Sequence, residues 1–274
     1  MLFDRRRVTL KSRSQIEKMA VAGGLVAAAL DAVGEAIRPG ITPLELDAIA
    51  AEVIRVGGGT PSFIGVPGPV QPFAHTVCVS IDDEVVHGVP DGRPLREGQL
   101  VSVDCGAIVG GWHGDSARTW PVGTVSDATT RLVATTREAM LAGIAAALPG
   151  RTLEDIAGAI EDVGLEHGYG IVRAYVGHGI GNEMHEEPQV TNYRTGRKGR
   201  RIEVGLCLAI EPMFTLGDQA TRVKGDGWTV ATADGSLAAH WEHTIAVTED
   251  GPRVLTLGRH ETVAPLGIAA GVAS

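Results

Sequence analysis

Twice along this chain, a helix-to-helix joint is followed by an apolar strand that ends in a carboxylate, and that recurrence constrains the fold more than any other feature. The first joint reads Pro39-Gly40-Ile41-Thr42-Pro43-Leu44-Glu45 and the second Pro149-Gly150-Arg151-Thr152-Leu153-Glu154-Asp155. Each sets a Pro-Gly stop before a threonine cap with an acid three residues on, the mark of one helix ending and another starting. Downstream, Gly98-Gln99-Leu100-Val101-Ser102-Val103-Asp104 is echoed by Gly205-Leu206-Cys207-Leu208-Ala209-Ile210-Glu211. The offsets nearly agree, so the chain reads as an internal duplication of a helix-helix-hairpin unit. Two such halves around a pseudo-twofold axis make Asp104 and Glu211 mates at the centre.

Periodicity and punctuation supply the remaining elements. A first helix is expected from Ser14, whose capping-box partner is Glu17, to Arg38-Pro39-Gly40. A second runs from Thr42, with Pro43 at its first turn, to Gly57-Gly58-Gly59. An alanine-rich third spans 127–148 and a fourth opens at Thr152 and ends near His167. Strands are expected over 76–81, 99–108, 112–122, 171–176, 206–215, 228–231, 240–248 and 253–257, with Gly110-Gly111 as a hairpin turn. The expected organisation is an N-terminal arm (1–11), one main domain (12–257, halves about 12–125 and 126–257) and a C-terminal tail (258–274).

Composition excludes several classes. With 24 basic against 33 acidic side chains the net charge is −9, which disfavours general attraction to nucleic acid or anionic membranes. The 44% hydrophobic content is enough for a substantial core. Cys78, Cys105 and Cys207 are far apart and form no C-x-x-C pair, so neither a disulfide framework nor a structural zinc site is indicated. Arg5, Arg6 and Arg7 precede an amphipathic pattern with no cleavage signal, and no segment is expected to reach the apolar length of a membrane span. A cytoplasmic monomer is the expectation.

Chemistry concentrates in the carboxylates. Asp104 is followed across a hairpin by Asp115, and Glu211 by Glu242, so each half donates two. An unpaired carboxylate in an apolar strand costs several kcal/mol to bury, and four of them point to a multivalent cation. His87, His178 and His185 supply candidate imidazoles, the last two around a glycine-rich stretch where side chains can reach a cavity. Carboxylates bridge two ions about 3.5 to 4 Å apart, and water held between them becomes hydroxide near neutral pH. One imidazole with four carboxylates makes a hard, oxygen-rich site, favouring Mn, Fe(II) or Co, with Zn and Ni as alternatives. His113 and His243 are divided between supporting and structural roles; His75 and His167 read as structural or surface residues.

Read in order, the motifs resemble the type I methionine aminopeptidases of the pita-bread fold. The resemblance is carried by His87-Gly88-Val89-Pro90-Asp91, Val103-Asp104-Cys105-Gly106, Gly114-Asp115-Ser116-Ala117-Arg118-Thr119, Gly177-His178-Gly179-Ile180-Gly181, His185-Glu186-Glu187-Pro188, Ile210-Glu211-Pro212-Met213, Asp226-Gly227-Trp228-Thr229 and Trp241-Glu242-His243-Thr244. It covers about residues 12–257. It implies an α+β fold, a curved antiparallel sheet covered by two pseudo-symmetric helix pairs. It also implies removal of the initiator methionine from nascent chains when the second residue is small. By resemblance Asp115 and Glu242 bridge two divalent ions, His178 and Glu211 complete one, and Asp104 chelates the other. Glu211 becomes the general acid/base, His185 the partner of the scissile carbonyl and His87 that of the substrate nitrogen. Cys78, Phe63 and Trp228 fall at pocket positions, while Val66 and Met184 stand where bacterial members often carry aromatics. Residues 68–74 look like an insertion beside the pocket mouth.

Three rivals stand against this reading. Proline-specific relatives share fold and ligands but resemble larger proteins with an extra N-terminal domain. A binding module of the same fold should have lost ligands, and all five are present. The cluster Arg194, Arg197, Lys198, Arg200 and Arg201 reads as a solvated loop or as a transient ribosome contact.

Overall fold

Among the described residues four helices form, close to where capping chemistry and periodicity place them: α1 (Arg13–Ala36), α2 (Pro43–Val56), α3 (Asp127–Ala146) and α4 (Leu153–Glu166). The computed structural model describes residues 8–263 and the backbone of 269–270. Arg5, Arg6 and Arg7, the rest of the expected arm before residue 8, and residues 264–268 and 271–274 of the expected tail lie outside the described residues. At the start of α2, Thr42 Oγ1 accepts the Glu45 N–H at 3.2 Å while Glu45 accepts the Thr42 N–H at 2.8 Å. At α4, Asp155 accepts the Thr152 N–H at 2.8 Å. The cap of α1 differs from expectation: the helix begins at Arg13, so Ser12 is the cap and forms the box with Gln15, while Glu17 pairs with Arg253 at 2.6 Å. That helix also stops at Ala36, ahead of the expected Pro39-Gly40.

In the first half Leu100–Val109 is flanked by Trp112–Pro121 on one edge and by Val77–Ile81 and Thr60–Pro61 on the other, all antiparallel. The Gly110-Gly111 turn has positive φ at both residues, +56° and +80°, as a tight hairpin requires. Alternation along the central strand sends Val101, Val103, Cys105 and Ala107 into a core with Val26, Leu30, Leu46 and Ile54 of α1 and α2. Asp104 therefore faces the other side. In the second half Cys207–Ile210 lies between His243–Thr248 and Gly177–Gly179; Glu186–Val190, Gly251–Val254 and Ala269–Ala270 extend that sheet. Leu208, Ile210, Ile245 and Val247 pack there with Leu132, Met140, Ile144, Ile156 and Ile160 of α3 and α4.

Backbone hydrogen bonds repeat between the halves. Gly40 donates to the Leu95 carbonyl and Leu95 to that of Ile41 (2.8 and 2.7 Å); Gly150 donates to Ile202 and Ile202 to Arg151 (2.9 and 2.8 Å). Gly98 donates to Val122 and Val122 to Gln99 (2.9 and 2.8 Å); Gly205 donates to Val247 and Val247 to Leu206 (2.9 and 2.8 Å). All four glycines have φ between +87° and +93°, where a Cβ is penalised.

Several expected strands are shorter or broken. Residues 206–215 divide at Glu211-Pro212 and 240–248 at Trp241-Glu242: Cys207–Ile210 pairs with His243–Thr248, whereas Met213–Thr215 pairs with Ala238–His240 in another sheet. Pro212 lacks the donor that a continuous ladder needs. The register is the same on both sides of the break, with Ile210 opposite His243 and Met213 opposite His240. Glu211 and Glu242 thus stand opposite each other where the ladder is interrupted. Of 171–176 only Ile171 remains in a strand, Gly170–Ile171, because the chain leaves the sheet to wall a cleft. The 228–231 and 253–257 strands lie at Val230–Thr232 and Gly251–Val254. Glu84–Val86, Gly177–Gly179, Glu186–Val190 and Thr221–Val223 were not anticipated.

One expectation about apolar length is corrected as well: α1 contains an 18-residue window of membrane-spanning length with mean hydropathy 1.5. In the fold its Met19, Val26, Leu30 and Val33 are buried, and Asp31 pairs with Arg118 at 2.8 Å.

Candidate metal centre

The five expected ligands converge where the two halves meet. Asp104 is cross-strand from Ala117 and Asp115 from Gly106, so both carboxylates lie on one face of the first hairpin. Glu211 and Glu242 come from the interrupted ladder of the second half. His178 sits between two glycines in the strand Gly177–Gly179; a Cβ at Gly177 would lie 2.4 Å from the Ala209 carbonyl oxygen, so only glycine lets this strand approach closely. Its Nδ1 lies 2.9 Å from the Gly179 carbonyl, which holds the proton there and leaves Nε2 free. That Nε2 is 3.5 Å from Glu211 and 3.8 Å from Asp115. Asp115, His178 and Glu242 each offer a ligand atom within 4.8 Å of the others, and all three are buried.

Electrostatics define what this cluster needs. Burial raises Asp104 to about 7, while burial together with neighbouring carboxylates pushes Asp115, Glu211 and Glu242 well above the usual range. Among the described residues Asp104 Oδ1, Asp115 Oδ1 and Glu242 Oε1 have no hydrogen-bond partner. Orphaned, mutually repelling carboxylate oxygens beside an imidazole nitrogen fit divalent cations and little else.

Beside them lies a cavity of about 120 Å³. Phe63, Val66, Phe73, Cys78, Met184 and Trp228 form its apolar wall; the acids, His87, His178 and His185 form the other. Outside it opens a cleft of about 470 Å³ that reaches Tyr175, Gln189 and His240. His87 has a positive φ of +58°, unusual for a non-glycine residue, and its ring meets Tyr175 edge-on at 5.5 Å. Burial, with His185 nearby, lowers His87 to about 4. Burial also lowers His185, whose ring is 4.5 Å from that of His178.

Some residues escaped the sequence reading. Phe73 belongs to the 68–74 stretch expected as an insertion at the mouth, yet it is buried between Phe63 (6.4 Å) and Trp228 (5.1 Å). Its being the one aromatic in that proline-rich segment was the available signal. His240 lines the cleft; its Nε2 lies 3.8 Å from Glu211 and has no hydrogen-bond partner among the described residues. Only its place two residues before Glu242 hinted at this. His243 turns away from the cavity to Thr256, 2.9 Å, and His113 to Ser62, 3.0 Å. His75 lies 3.3 Å from Asp47, and His167 is exposed. In the basic loop Arg194 is held by Asp162 at 2.7 Å and Arg200 by Glu203 at 2.6 Å.

The sequence profile described as metallopeptidase family M24 matches residues 17–249. The chain belongs to that family. Among M24 relatives, methionine aminopeptidase 1 of Mycobacterium tuberculosis is 51% identical over 94% of this chain and 98% of its own length. The crystal structure of methionine aminopeptidase from Rickettsia prowazekii superposes with a TM-score of 0.88 at 36% identity, covering 92% of this chain and 100% of that one. A prolidase from Pyrococcus furiosus superposes with a TM-score of 0.72 at 23% identity, covering 92% of this chain and 66% of that one, which shows the fold alone. The common M24 architecture is the α+β pita-bread fold expected from the motifs.

Proposed function

We propose that this chain is a methionine aminopeptidase, removing the initiator methionine from nascent polypeptides whose second residue is small. The observation that carries the reading is a buried carboxylate-imidazole cluster adjoining a small apolar cavity, in a chain half identical to a relative bearing that name. Asp104, Asp115, His178, Glu211 and Glu242, which line one cavity, would hold two divalent ions through four carboxylates and one imidazole. The hard donor set favours Co, Mn or Fe(II), with Zn or Ni as alternatives. When bound, such ions supply Lewis acidity and lower the pKa of water toward 7.

The chain's own groups do the rest. Glu211 takes a proton from the attacking water and returns it to the departing amine. His185 hydrogen-bonds the scissile carbonyl oxygen, and His87 contacts the substrate nitrogen. Both imidazoles are held below their ordinary pKa by burial, so at neutral pH each offers one donor and one acceptor. Phe63, Cys78 and Trp228, with Val66, Phe73 and Met184, receive the methionine side chain. We also read residues 12–257 as one catalytic domain in a cytoplasmic monomer, with the loop carrying Arg197 and Lys198 as a transient ribosome contact.

Kinetics on Met-Xaa-Ser peptides test the specificity. With the first side chain seated and the carbonyl pinned by His185, a long second side chain displaces the peptide, and about 1 Å of misplacement can cost 10²-fold in rate. Xaa = Ala should therefore far exceed Xaa = Lys in kcat/KM. Equal values for the two would overturn the reading.

A further inference from the structure

We infer that Lys11, at the end of the N-terminal arm, is a positioning residue for the turn 181–186 that presents Met184 and His185 to the cavity. This rests on the functional reading above, which gives His185 its contact with the scissile carbonyl. The Lys11 side chain is only 4% exposed, and its ammonium finds three acceptors: Glu186 Oε2 at 2.5 Å, Thr9 Oγ1 at 2.8 Å and the Thr9 carbonyl at 3.3 Å. An ammonium has three donors, so this one is fully used. Thr9 Oγ1 adds a second donor to Glu186 at 2.8 Å. The arm is itself seated, because the Lys11 N–H donates to the Gly205 carbonyl at 2.7 Å on the second-half sheet.

Glu186 passes this anchorage to the turn. Its other oxygen accepts the Glu183 N–H at 3.4 Å, and the Glu183 carbonyl accepts the Gly181 N–H at 3.1 Å. The turn thus closes on the carboxylate that Lys11 holds, one residue from His185. Gly181 records how tightly the parts fit: a Cβ there would lie 2.4 Å from Glu186 Oε1 and 2.6 Å from Lys11 Cε. Burial alone would raise the Glu186 carboxyl, yet the bonds from Lys11 and Thr9 hold it below its ordinary value. Nothing in peptide hydrolysis consumes this pair; what it does is fix the register of a turn whose two inner side chains touch the substrate.

Removing one partner of a buried pair leaves the other charge uncompensated, whereas removing both does not. Lys11→Met should therefore release Glu186 and the turn, while Lys11→Met with Glu186→Gln restores neutrality. Three quantities are measured on wild type and both variants: amide hydrogen exchange across 181–187, kcat and KM on Met-Ala-Ser, and the Met-to-Leu preference at the first position. Lys11→Met is expected to speed exchange in the turn and to lower kcat by about 10-fold or more, given the sensitivity of turnover to small misplacement. It should also narrow the Met-to-Leu preference, with KM and metal content little changed. The double variant should recover part of both losses. A wild type without methionine release would defeat the functional reading, with the exchange data still deciding the role of Lys11. An active wild type matched by Lys11→Met in exchange, kcat and preference would overturn the inference, as would losses that merely track a fall in folded protein by circular dichroism.

Discussion

Glu242 and Ala117, from opposite halves of the chain, exchange backbone hydrogen bonds: the Glu242 N–H donates to Ala117 at 2.8 Å and the Ala117 N–H to Glu242 at 3.4 Å. Hydroxyls continue this seam on both sides. Thr244 Oγ1 accepts the Asp115 N–H at 3.0 Å and donates to its carbonyl at 2.8 Å; Thr119 Oγ1 does the same for His240 at 2.9 and 2.8 Å. Ser116 Oγ donates to the Glu242 carbonyl at 2.6 Å. The seam that joins the halves is therefore also what sets Asp115 beside Glu242.

Loosening that seam should weaken both fold and site. Thr244→Val leaves the buried N–H and carbonyl of Asp115 without their partner, at a cost of about 1 to 3 kcal/mol each way the group is stranded. A lower midpoint in denaturant and weaker metal retention on dialysis are expected together. An unchanged metal affinity would separate the seam from the site.

Ligand and substrate-contacting residues should differ in metal content. On the proposed ligand set, Asp115→Ala or Glu242→Ala should abolish activity and dimetal occupancy together, whereas His87→Ala should lower turnover with metal retained. Elemental analysis distinguishes them, and full occupancy in both carboxylate variants would refute the ligand assignment.

For Glu211→Gln the loss should exceed any effect on metal affinity, because an amide cannot shuttle the proton. General acid/base help is typically worth about 10² to 10⁴-fold. Turnover within a few-fold of wild type at saturating metal would move the base elsewhere.

The pH dependence of the metal-free protein follows from its raised carboxyls. Asp104 stands at about 7, raised by burial, against an ordinary value near 4. A folded-state pKa above the unfolded one means that the folded chain binds more protons between these values, so stability falls as pH rises from about 4 to 7. Metal removes that penalty. The melting temperature gained on adding Mn(II) to chelator-treated protein should be larger at pH 7.5 than at pH 5.5, and Asp104→Asn should reduce the difference. An equal gain at both values would contradict the burial argument.

How much of this was legible in the sequence depended on the kind of signal. Gly40, Gly98, Gly150 and Gly205 carry the duplication because each sits at a φ that other residues avoid, so local chemistry leaves a mark in the string. The four carboxylates were legible because acids at the ends of apolar strands have a physical cost that demands an explanation. The breaks at Glu211-Pro212 and Trp241-Glu242 were not, since a strand that changes sheets keeps the same apolar run on either side. Phe73, Tyr175 and His240 reach the cleft from segments far apart in sequence, and only tertiary packing brings them there. The Lys11–Glu186 pair lies 175 residues apart and left no local trace.

The most direct test is to strip the protein with chelator, titrate it with Mn(II), Co(II) or Fe(II), and follow release of the first residue from Met-Ala-Ser, Ala-Ala-Ser and a Leu-Pro-Ser peptide. Free methionine should appear only once metal is added and should far exceed release from the other two. No methionine at any metal load, or faster cleavage of the alanine- or proline-containing rival, would contradict the account.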